Sequence, residues 1–214
     1  MTKLAHLTVS RQGFGAMGLS STYGPAEDAE SIRTLHRAID LGITFFDTAT
    51  SYGGGHNERL LGQAIADRRQ GLVIASKFVH RPAGAGPDAP RINAREAVEA
   101  SLERLGLDHI DLYYLHRVDP HVPIEESVGE LGRLREEGKI GAVGVSEASA
   151  DQLRHKPKRT EIIQREVGSC DLSVDFHAYV LNHRGNRPRR SLFVAVSIAE
   201  GLSCRWTDAP LRLF

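Results

Sequence analysis

The feature of this sequence that most constrains its fold is an alternation, from residue 13 onward, of short β-rich runs with longer segments of helical period. The β-rich runs are 13–19, 43–47, 72–77, 110–115 and 142–145, and the helical segments between them are 26–41, 57–66, 93–105 and 124–137. Strands that alternate with helices predict a parallel α/β sheet or barrel. Five such repeats match the first part of a (β/α)8 barrel of the TIM type, whose functional residues follow the carboxyl ends of the strands.

The predicted helices carry recognisable start and stop signals. The first has one apolar stripe, formed by Ile32, Leu35, Ala38 and Ile39, and Gly42 is placed to end it. Asn57 and Asn93 stand at the N-cap positions of the second and third helices, and Gly138 ends the fourth. The stretch 82–90 is rich in glycine and proline, which predicts a loop.

The chain changes character after Arg154, where the βα rhythm fades and a basic, turn-rich stretch appears at 182–190. We therefore divide it into a partial barrel over 1–154 and a divergent segment over 155–214, with about five to six βα units in all. The apolar run 192–199 fits a strand or a short helix equally well. The arginines of 184–190 predict a solvated segment, since the stacking aromatics of a nucleic-acid surface are sparse there.

Charge and cysteine content exclude several classes of function. The 27 basic and 27 acidic residues balance, so no net field attracts nucleic acid, a membrane surface or a strongly charged substrate, and small neutral ligands fit better. Cys170 and Cys204 are too few for a disulfide framework, and His116 with His121 lacks further ligands, so we expect no metal. With no signal-like amino terminus and no apolar window of membrane-spanning length, we expect a cytoplasmic protein.

Four ionisable residues lie at the ends of three consecutive predicted strands: Asp47 and Tyr52 after the second, Lys77 at the end of the third, and His116 at the end of the fourth. Strand ends converge on one mouth in a barrel. Reduction of a carbonyl by hydride needs a proton donor, and a phenol serves if a cation lowers its pKa from about 10 toward neutrality. Lys77 can be that cation, held by Asp47, while His116 would hydrogen-bond the substrate oxygen.

Each of these residues also has a purely structural interpretation. An aspartate at a strand end usually caps a loop, and a lone histidine is more often a core side chain with its hydrogen bonds satisfied. Lys77 is more informative, because a lysine that closes an apolar strand ends near a partly buried rim and needs a carboxylate partner. The ordered set of four, more than any member, indicates a catalytic site.

The segments that carry these residues are Phe46-Asp47-Thr48-Ala49 with Tyr52-Gly53, Ala75-Ser76-Lys77-Phe78 and Asp111-Leu112-Tyr113-Tyr114-Leu115-His116. They are accompanied by Gly13-Phe14-Gly15-Ala16-Met17-Gly18, Asn57-Glu58, Leu60-Leu61-Gly62, Gly138-Lys139-Ile140 and Gly144-Val145-Ser146. Together, over roughly residues 8–154, they resemble the aldo/keto reductase family. The resemblance implies reduction of a small aldehyde or ketone with NADPH.

The resemblance also implies roles for individual residues. Asp47, Tyr52, Lys77 and His116 correspond to the family's catalytic tetrad, with Tyr52 as the general acid. Five positions correspond to cofactor-binding residues: Gly15, Met17, Ser146, which would touch the nicotinamide carboxamide, Glu147, which stands where many relatives carry asparagine, and Gln164, which would grip the nicotinamide.

Some features depart from the family pattern and leave alternatives open. Residues 163–167 weakly resemble the family's sixth strand, but Val167 stands where the family has an aromatic residue that stacks on the nicotinamide. The seventh and eighth units, which bind the cofactor phosphates, have no recognisable counterpart. Weakened NADPH binding is therefore expected unless the divergent segment substitutes for them. The alternative function is that of a catalytically impaired fragment, at most a folded or protein-interaction module. The sequence leaves the oligomeric state and the substrate open.

A dinucleotide-binding Rossmann fold is a further possibility, because the spacing of Gly13, Gly15 and Gly18 matches its G-x-G-x-x-G fingerprint. That fingerprint should open a helix, whereas here the residues after Gly18 continue as a loop up to Pro25. The motif is weak alone, and we prefer the barrel.

Overall fold

The structure is a computed structural model that describes residues 1–4, 6–20, 24–82, 84–149 and 152, and the strands at 162–165, 176–180 and 194–198. Its strands are β1 Thr2–Leu4, β2 Leu7–Val9, β3 Gln12–Gly15, β4 Phe45–Asp47, β5 Val73–Phe78, β6 Ile110–Leu115, β7 Ile140–Ser146, β8 Ile162–Arg165, β9 Phe176–Val180 and β10 Val194–Ile198. Its α-helices are α1 Asp28–Asp40, α2 His56–Ile65, α3 Ala94–Leu105 and α4 Ile124–Glu136. Two 3₁₀ helices, Ala16–Ser20 and Tyr52–Gly55, lie at the carboxyl ends of β3 and β4.

The main sheet has eight strands in the order β8-β7-β6-β5-β4-β3-β10-β9. Strands β3 to β8 are parallel and follow one another in chain order, as in the wall of a βα barrel. Strands β10 and β9 extend the sheet beyond β3 in antiparallel orientation. The parallel α/β architecture of TIM-barrel type is thus confirmed, and it spans part of a barrel.

Successive residues of the strands β3 to β7 face opposite sides of the sheet, and both sides are buried. One side, which includes Phe46, Ile74 and Tyr113, packs in a large apolar cluster with the helices. The other side contributes Phe45, Leu112 and others to a second, smaller cluster. Burial on both faces explains why the strands are almost continuously apolar. It also explains why the sequence predicted β6 with the bounds that the structure shows.

The amino-terminal hairpin β1–β2 covers the end of the sheet at which the parallel strands begin, and the sequence pattern did not predict it. Leu4 and Val9 share a cluster with Phe45 and Val73, the first residues of β4 and β5. Two hydrogen bonds join the chain after the hairpin to the residue before β4. Ser10 N–H donates to Thr44 Oγ1 at 2.8 Å, and Thr44 N–H donates to Ser10 Oγ at 2.9 Å. Hairpin strands of three residues are too short to show period-two alternation.

Two local predictions were wrong. The first strand does not run over 13–19: β3 ends at Gly15 and the chain continues as the 3₁₀ helix Ala16–Ser20, whose buried Ala16 and Leu19 prolong the apolar run without prolonging the strand. Asn57 is not the N-cap of α2, because the helix already begins at His56, after Gly55 at φ 85°. Asn93 is confirmed as the cap of α3, since its side chain accepts from Glu96 N–H at 2.8 Å.

Three strands of the divergent segment join the same sheet. The backbone of β8 lies beside β7 and overlaps the weak sixth strand. The run 192–199 contains a strand, β10, whereas β9 was not predicted. Val167, the two cysteines and the basic stretch 182–190 lie outside the described residues. Among the helices that the structure does describe, none has the length and apolar character needed to cross a membrane.

Candidate active site

The structure brings the four predicted catalytic residues together at the carboxyl end of the parallel strands. Asp47 is the last residue of β4, Tyr52 begins the 3₁₀ helix five positions later, and His116 directly follows β6. Lys77 is the penultimate residue of β5 rather than its last, because Phe78 still pairs with Leu115 of β6. The convergence predicted from the strand ends is therefore present in the fold.

Lys77 is the centre of the cluster, and its side chain is 0% exposed. Its Nζ donates to Asp47 Oδ1 at 2.5 Å, to the carbonyl oxygen of Thr48 at 2.7 Å, and to Tyr52 Oη at 3.4 Å. An ammonium has three donors and no acceptor, so these three oxygens match its capacity. A buried charge is costly unless it is paired and hydrogen-bonded, and both conditions hold for Lys77.

Tyr52 lies between a cation and an imidazole and is 9% exposed. Lys77 Nζ lies 5.0 Å from the centroid of its ring, and the His116 ring meets it edge-on, with centroids 5.9 Å apart and planes at 86°. Gly53 and Gly54 follow at φ 58° and φ 60°, a left-handed conformation that side-chain-bearing residues adopt at a cost. The glycines allow the chain to turn sharply right after the tyrosine.

His116 is half-buried and is held by its backbone, because its N–H donates to the carbonyl oxygen of Phe78 at 2.8 Å. Its Nδ1 lies 3.4 Å from Ser51 Oγ, at the long end of hydrogen-bond distance. Backbone and ring contacts therefore help to orient the imidazole at the rim of the cluster.

Tyr114 and Gly144 lie beside Lys77 on the two neighbouring strands, and the sequence analysis did not predict their role. Lys77 pairs with Tyr114 and Tyr114 with Gly144 across adjacent strands. The Tyr114 ring centroid is 5.9 Å from Lys77 Nζ. A Cβ at Gly144 would come within 2.1 Å of that ring, so only glycine leaves it room. The available signal was a glycine inside a strand, which often marks a close approach.

The five predicted cofactor-binding residues are placed as follows. Gly15 ends β3 in register with Asp47, and Met17 is half-buried in the following 3₁₀ helix. Ser146 ends β7 and is 1% exposed. Glu147 follows in the left-handed region, at φ 56°, and forms an ion pair with Arg117. The backbone of Gln164 pairs with Val145 on β8.

The loop after β5 is anchored by His80, which sequence reasoning also missed. Its Nδ1 donates to the carbonyl oxygen of Ile92 at 2.8 Å, and its Nε2 accepts from Ser127 Oγ at 2.8 Å. The carbonyl oxygen can only accept, so Nδ1 carries a hydrogen, and Nε2 then accepts in the neutral ring. Burial lowers the pKa of His80 below its ordinary value, outweighing the opposite effect of the hydrogen bond to Ile92. The neutral His80 ring thus joins the loop after β5 to α4 by one hydrogen bond on each side.

Arg81 fastens the same loop to the segment after β6. Its guanidinium pairs with Asp119 at 2.5 Å and its Nε donates to the carbonyl oxygen of Ala89 at 3.0 Å. Burial by itself would raise the pKa of Asp119, but hydrogen bonds from His121 N–H and Arg81 hold that pKa below its usual value. Arg81 therefore holds both ends of the predicted loop 82–90 in place, one end through Asp119 and the other through Ala89.

Comparison with known proteins agrees with this geometry. The sequence model of the aldo/keto reductase family matches residues 12–178. The chain is 47% identical over 152 residues to a soybean (Glycine max) protein named probable aldo-keto reductase 1, covering 68% of this chain and 44% of that protein.

Solved structures show the same relationship. A Bacillus halodurans aldo-keto reductase in its holo form matches with a TM-score of 0.64 at 32% identity, over 75% of this chain and 54% of that one. A Klebsiella pneumoniae aldo-keto reductase in complex with NADPH matches with a TM-score of 0.56 at 34% identity, over 67% and 47% respectively. The chain spans about half the length of these relatives. With its fold, its strand-end cluster and this family match all in agreement, the chain belongs to the aldo/keto reductase family.

Proposed function

We propose that this protein reduces a small aldehyde or ketone to an alcohol with NADPH, and that Tyr52 is the proton donor. The observation that carries the proposal is the contact of the buried Lys77 ammonium with Tyr52 Oη, at 3.4 Å, while the same ammonium is paired with Asp47. A tyrosine hydroxyl beside a fixed cation can release its proton, because the cation stabilises the phenolate left behind.

Each member of the cluster has a separate task in this mechanism. The Tyr52 hydroxyl gives its proton to the oxygen of the reduced carbonyl, and Lys77 Nζ then faces the phenolate oxygen. Asp47 keeps the ammonium charged and in place through the 2.5 Å contact. His116, at the rim with its ring against Tyr52, donates a hydrogen bond to the same substrate oxygen and orients it.

The residues at this end of the sheet fit the nicotinamide part of NADPH, which two of the similar solved structures contain in its reduced or oxidised form. When bound, the cofactor supplies the hydride. Ser146 offers a buried hydroxyl at the end of β7, beside the cluster, where an amide group needs a polar partner. Gly15 and Met17, on β3 and the turn after it, would form the opposite wall, and Glu147 and Gln164 would complete the binding set.

The test is NADPH oxidation by the purified chain with a reactive aldehyde such as a nitrobenzaldehyde, beside the variant Tyr52→Phe. We expect the variant to lose turnover by about a hundredfold or more, the usual contribution of a general acid, and to bind NADPH as before. Tyr113→Phe is the matched control, because it removes one buried tyrosine hydroxyl, 2.9 Å from Ser101 Oγ, on the helix-facing side of the sheet.

The outcomes separate the two candidate functions. Turnover that depends on Tyr52 but not on Tyr113 supports the reductase. A folded sample that consumes no NADPH would instead favour the non-catalytic alternative, a folded or protein-interaction module. A cytoplasmic location stays a prediction.

A further inference from the structure

We infer that Asn57 is a positioning residue for Lys77, and that it acts through Thr48. The inference rests on the proposed function, since it concerns the lysine that faces Tyr52. Asn57 was predicted to cap α2, but Gly55 occupies the cap position, and the Asn57 side chain hydrogen-bonds to residues outside the helix.

Asn57 is 1% exposed, and each of its polar side-chain groups has a partner. Its Nδ2 donates to the carbonyl oxygen of Ala16 at 2.8 Å and to Ser20 Oγ at 2.8 Å. Its Oδ1 accepts from Thr48 Oγ1 at 2.6 Å. With two donor hydrogens and one acceptor engaged, the amide joins the turn after β3 to the turn after β4.

The orientation of the amide follows from these partners. If Asn57 were flipped, its oxygen would face the carbonyl oxygen of Ala16, and two acceptors would meet without a hydrogen. The orientation with Nδ2 toward Ala16 leaves Oδ1 toward Thr48, whose hydroxyl must then be the donor. Asn57 thus specifies the direction of the Thr48 hydrogen bond and holds the Thr48 hydroxyl in place.

Thr48 transmits this constraint to the catalytic cluster. Its N–H donates to the carbonyl oxygen of Ala75 at 2.9 Å, its hydroxyl is held by Asn57, and its carbonyl oxygen accepts from Lys77 Nζ at 2.7 Å. The residue is 0% exposed and is fixed by its amide, its side chain and its carbonyl. One of the three oxygens around the lysine is therefore placed by a residue that does not touch the lysine.

The geometry shows what is lost without the amide. Without Asn57, the Thr48 hydroxyl would lose the acceptor Asn57 Oδ1 and the Ala16 carbonyl oxygen would lose the donor Asn57 Nδ2, and the two turns would shift to recover hydrogen bonds. If the Thr48 carbonyl oxygen shifted, the Lys77 ammonium would either move with it or lose its hydrogen bond to it. The longest of the three lysine contacts, 3.4 Å to Tyr52, would be disturbed first. The consequence is a misplaced cation, with the proton donor and the rest of the fold still present.

The experiment compares Asn57→Ala and Thr48→Val with two reference variants. Thr48→Val keeps the shape of the side chain and removes its hydroxyl, whereas Thr48→Ser keeps the hydroxyl and should rescue. Gln63→Ala changes an exposed residue of the same helix, α2, and should behave as the unmodified chain. For NADPH-dependent aldehyde reduction we expect kcat to fall by about tenfold to a hundredfold in Asn57→Ala and Thr48→Val, with KM little changed.

A second measurement does not require turnover. The Lys77 side-chain ammonium should give its own signal in a proton–nitrogen correlation spectrum of the full chain, assigned by its disappearance in Lys77→Arg. We expect this signal to move and to exchange faster with water in Asn57→Ala and Thr48→Val, and to return toward its original position in Thr48→Ser. If Asn57→Ala does not fold, Thr48→Val decides.

A Lys77 signal that is unchanged in the folded variants would overturn the inference, even if their stability fell, because Asn57 would then only join two turns. Unchanged kcat in an active protein would overturn it equally. If the unmodified chain shows no NADPH oxidation, the proposed function fails, while the lysine signal still decides the role of Asn57.

Discussion

At the scale of single residues, the Asp47–Lys77 pair couples stability to the site. Both side chains are almost completely buried, with 3% and 0% exposure, so each charge depends on the other for compensation. The pair stabilises little compared with two apolar residues of the same volume. Its value is the placement of a cation next to Tyr52, which an apolar pair could not supply.

The first residue-scale prediction concerns Lys77→Met, which keeps the length of the side chain and removes its charge. The Asp47 carboxylate then loses its buried cation, and we expect a loss of about 3–5 kcal/mol in the free energy of unfolding, measured by urea denaturation. The double variant Asp47→Asn with Lys77→Met should recover part of that loss, because no buried charge is left. Equal stability of the two variants would show that the carboxylate finds another partner.

A second prediction at this scale follows from the lowered pKa of His80. The ordinary pKa of histidine is 6.5, and at a pH below it the His80 side chain takes up a proton in the unfolded chain but not in the folded chain. The free energy of unfolding therefore falls as the pH decreases below about 6.5, and it stops falling once the pH is below the folded-state pKa. His80→Gln should remove this part of the pH dependence of the free energy of unfolding. His6→Gln, at an exposed position, is the control and should leave the slope unchanged.

At the scale of elements, the packing of α2 on α3 depends on Gly62. A Cβ there would lie 2.4 Å from the carbonyl oxygen of Leu105, which is backbone and cannot rotate away. Nearby, the fully buried Glu58 accepts from Arg104 Nε at 2.5 Å and from Ser76 Oγ at 2.5 Å, and so ties α2 to α3 and β5. The helix that carries Asn57 is therefore held closely against its neighbours.

We expect Gly62→Ala to destabilise the protein by about 1–3 kcal/mol through overpacking, despite the better helix propensity of alanine. Gly129→Ala in α4 is the matched control, since a Cβ there meets nothing within 4 Å. It should be neutral or stabilising by up to about 1 kcal/mol. The two melting temperatures, measured side by side, test the comparison, and a stabilising Gly62→Ala would contradict the close approach.

The elements that were predicted well are those with a long periodic pattern. The helix starting after Asn93 and the strand Ile110–Leu115 were predicted with their ends, because the cap and the apolar run are local signals. The end of β3 and the start of α2 were missed. At the end of β3, a 3₁₀ helix continues the apolar pattern of the strand. At the start of α2, the Asn57 side chain has a chemistry that suits a helix cap as well as a tertiary contact.

At the scale of the whole molecule, the apolar contacts of the hairpin β1–β2 and the candidate chemistry lie at opposite ends of the sheet. The hairpin β1–β2 packs Leu4 and Val9 against the beginnings of β4 and β5, whereas the charged cluster occupies the other ends. This division is typical of βα barrels. A substitution under the hairpin should therefore change stability without changing the cluster.

Leu4→Ala tests this division. The side chain is 2% exposed, so we expect a loss of about 2–5 kcal/mol in the free energy of unfolding. Under conditions in which the protein remains folded, kcat for NADPH-dependent reduction should be unchanged. Leu41→Ala, at a position that is 60% exposed, should change neither quantity. A fall in kcat for Leu4→Ala would show that the two ends are coupled.

The sequence by itself determined the order of the strands and helices from β3 to β7 and the positions of Asp47, Lys77 and His116 at or near strand ends, because hydrophobic period and strand termination are local properties. The tertiary structure alone decided the partners of Asn57, the room that Gly144 leaves for Tyr114, and the cover that the hairpin forms. These depend on contacts between residues far apart in the chain. A one-dimensional pattern specifies which face a residue occupies, and only folding specifies what it meets there.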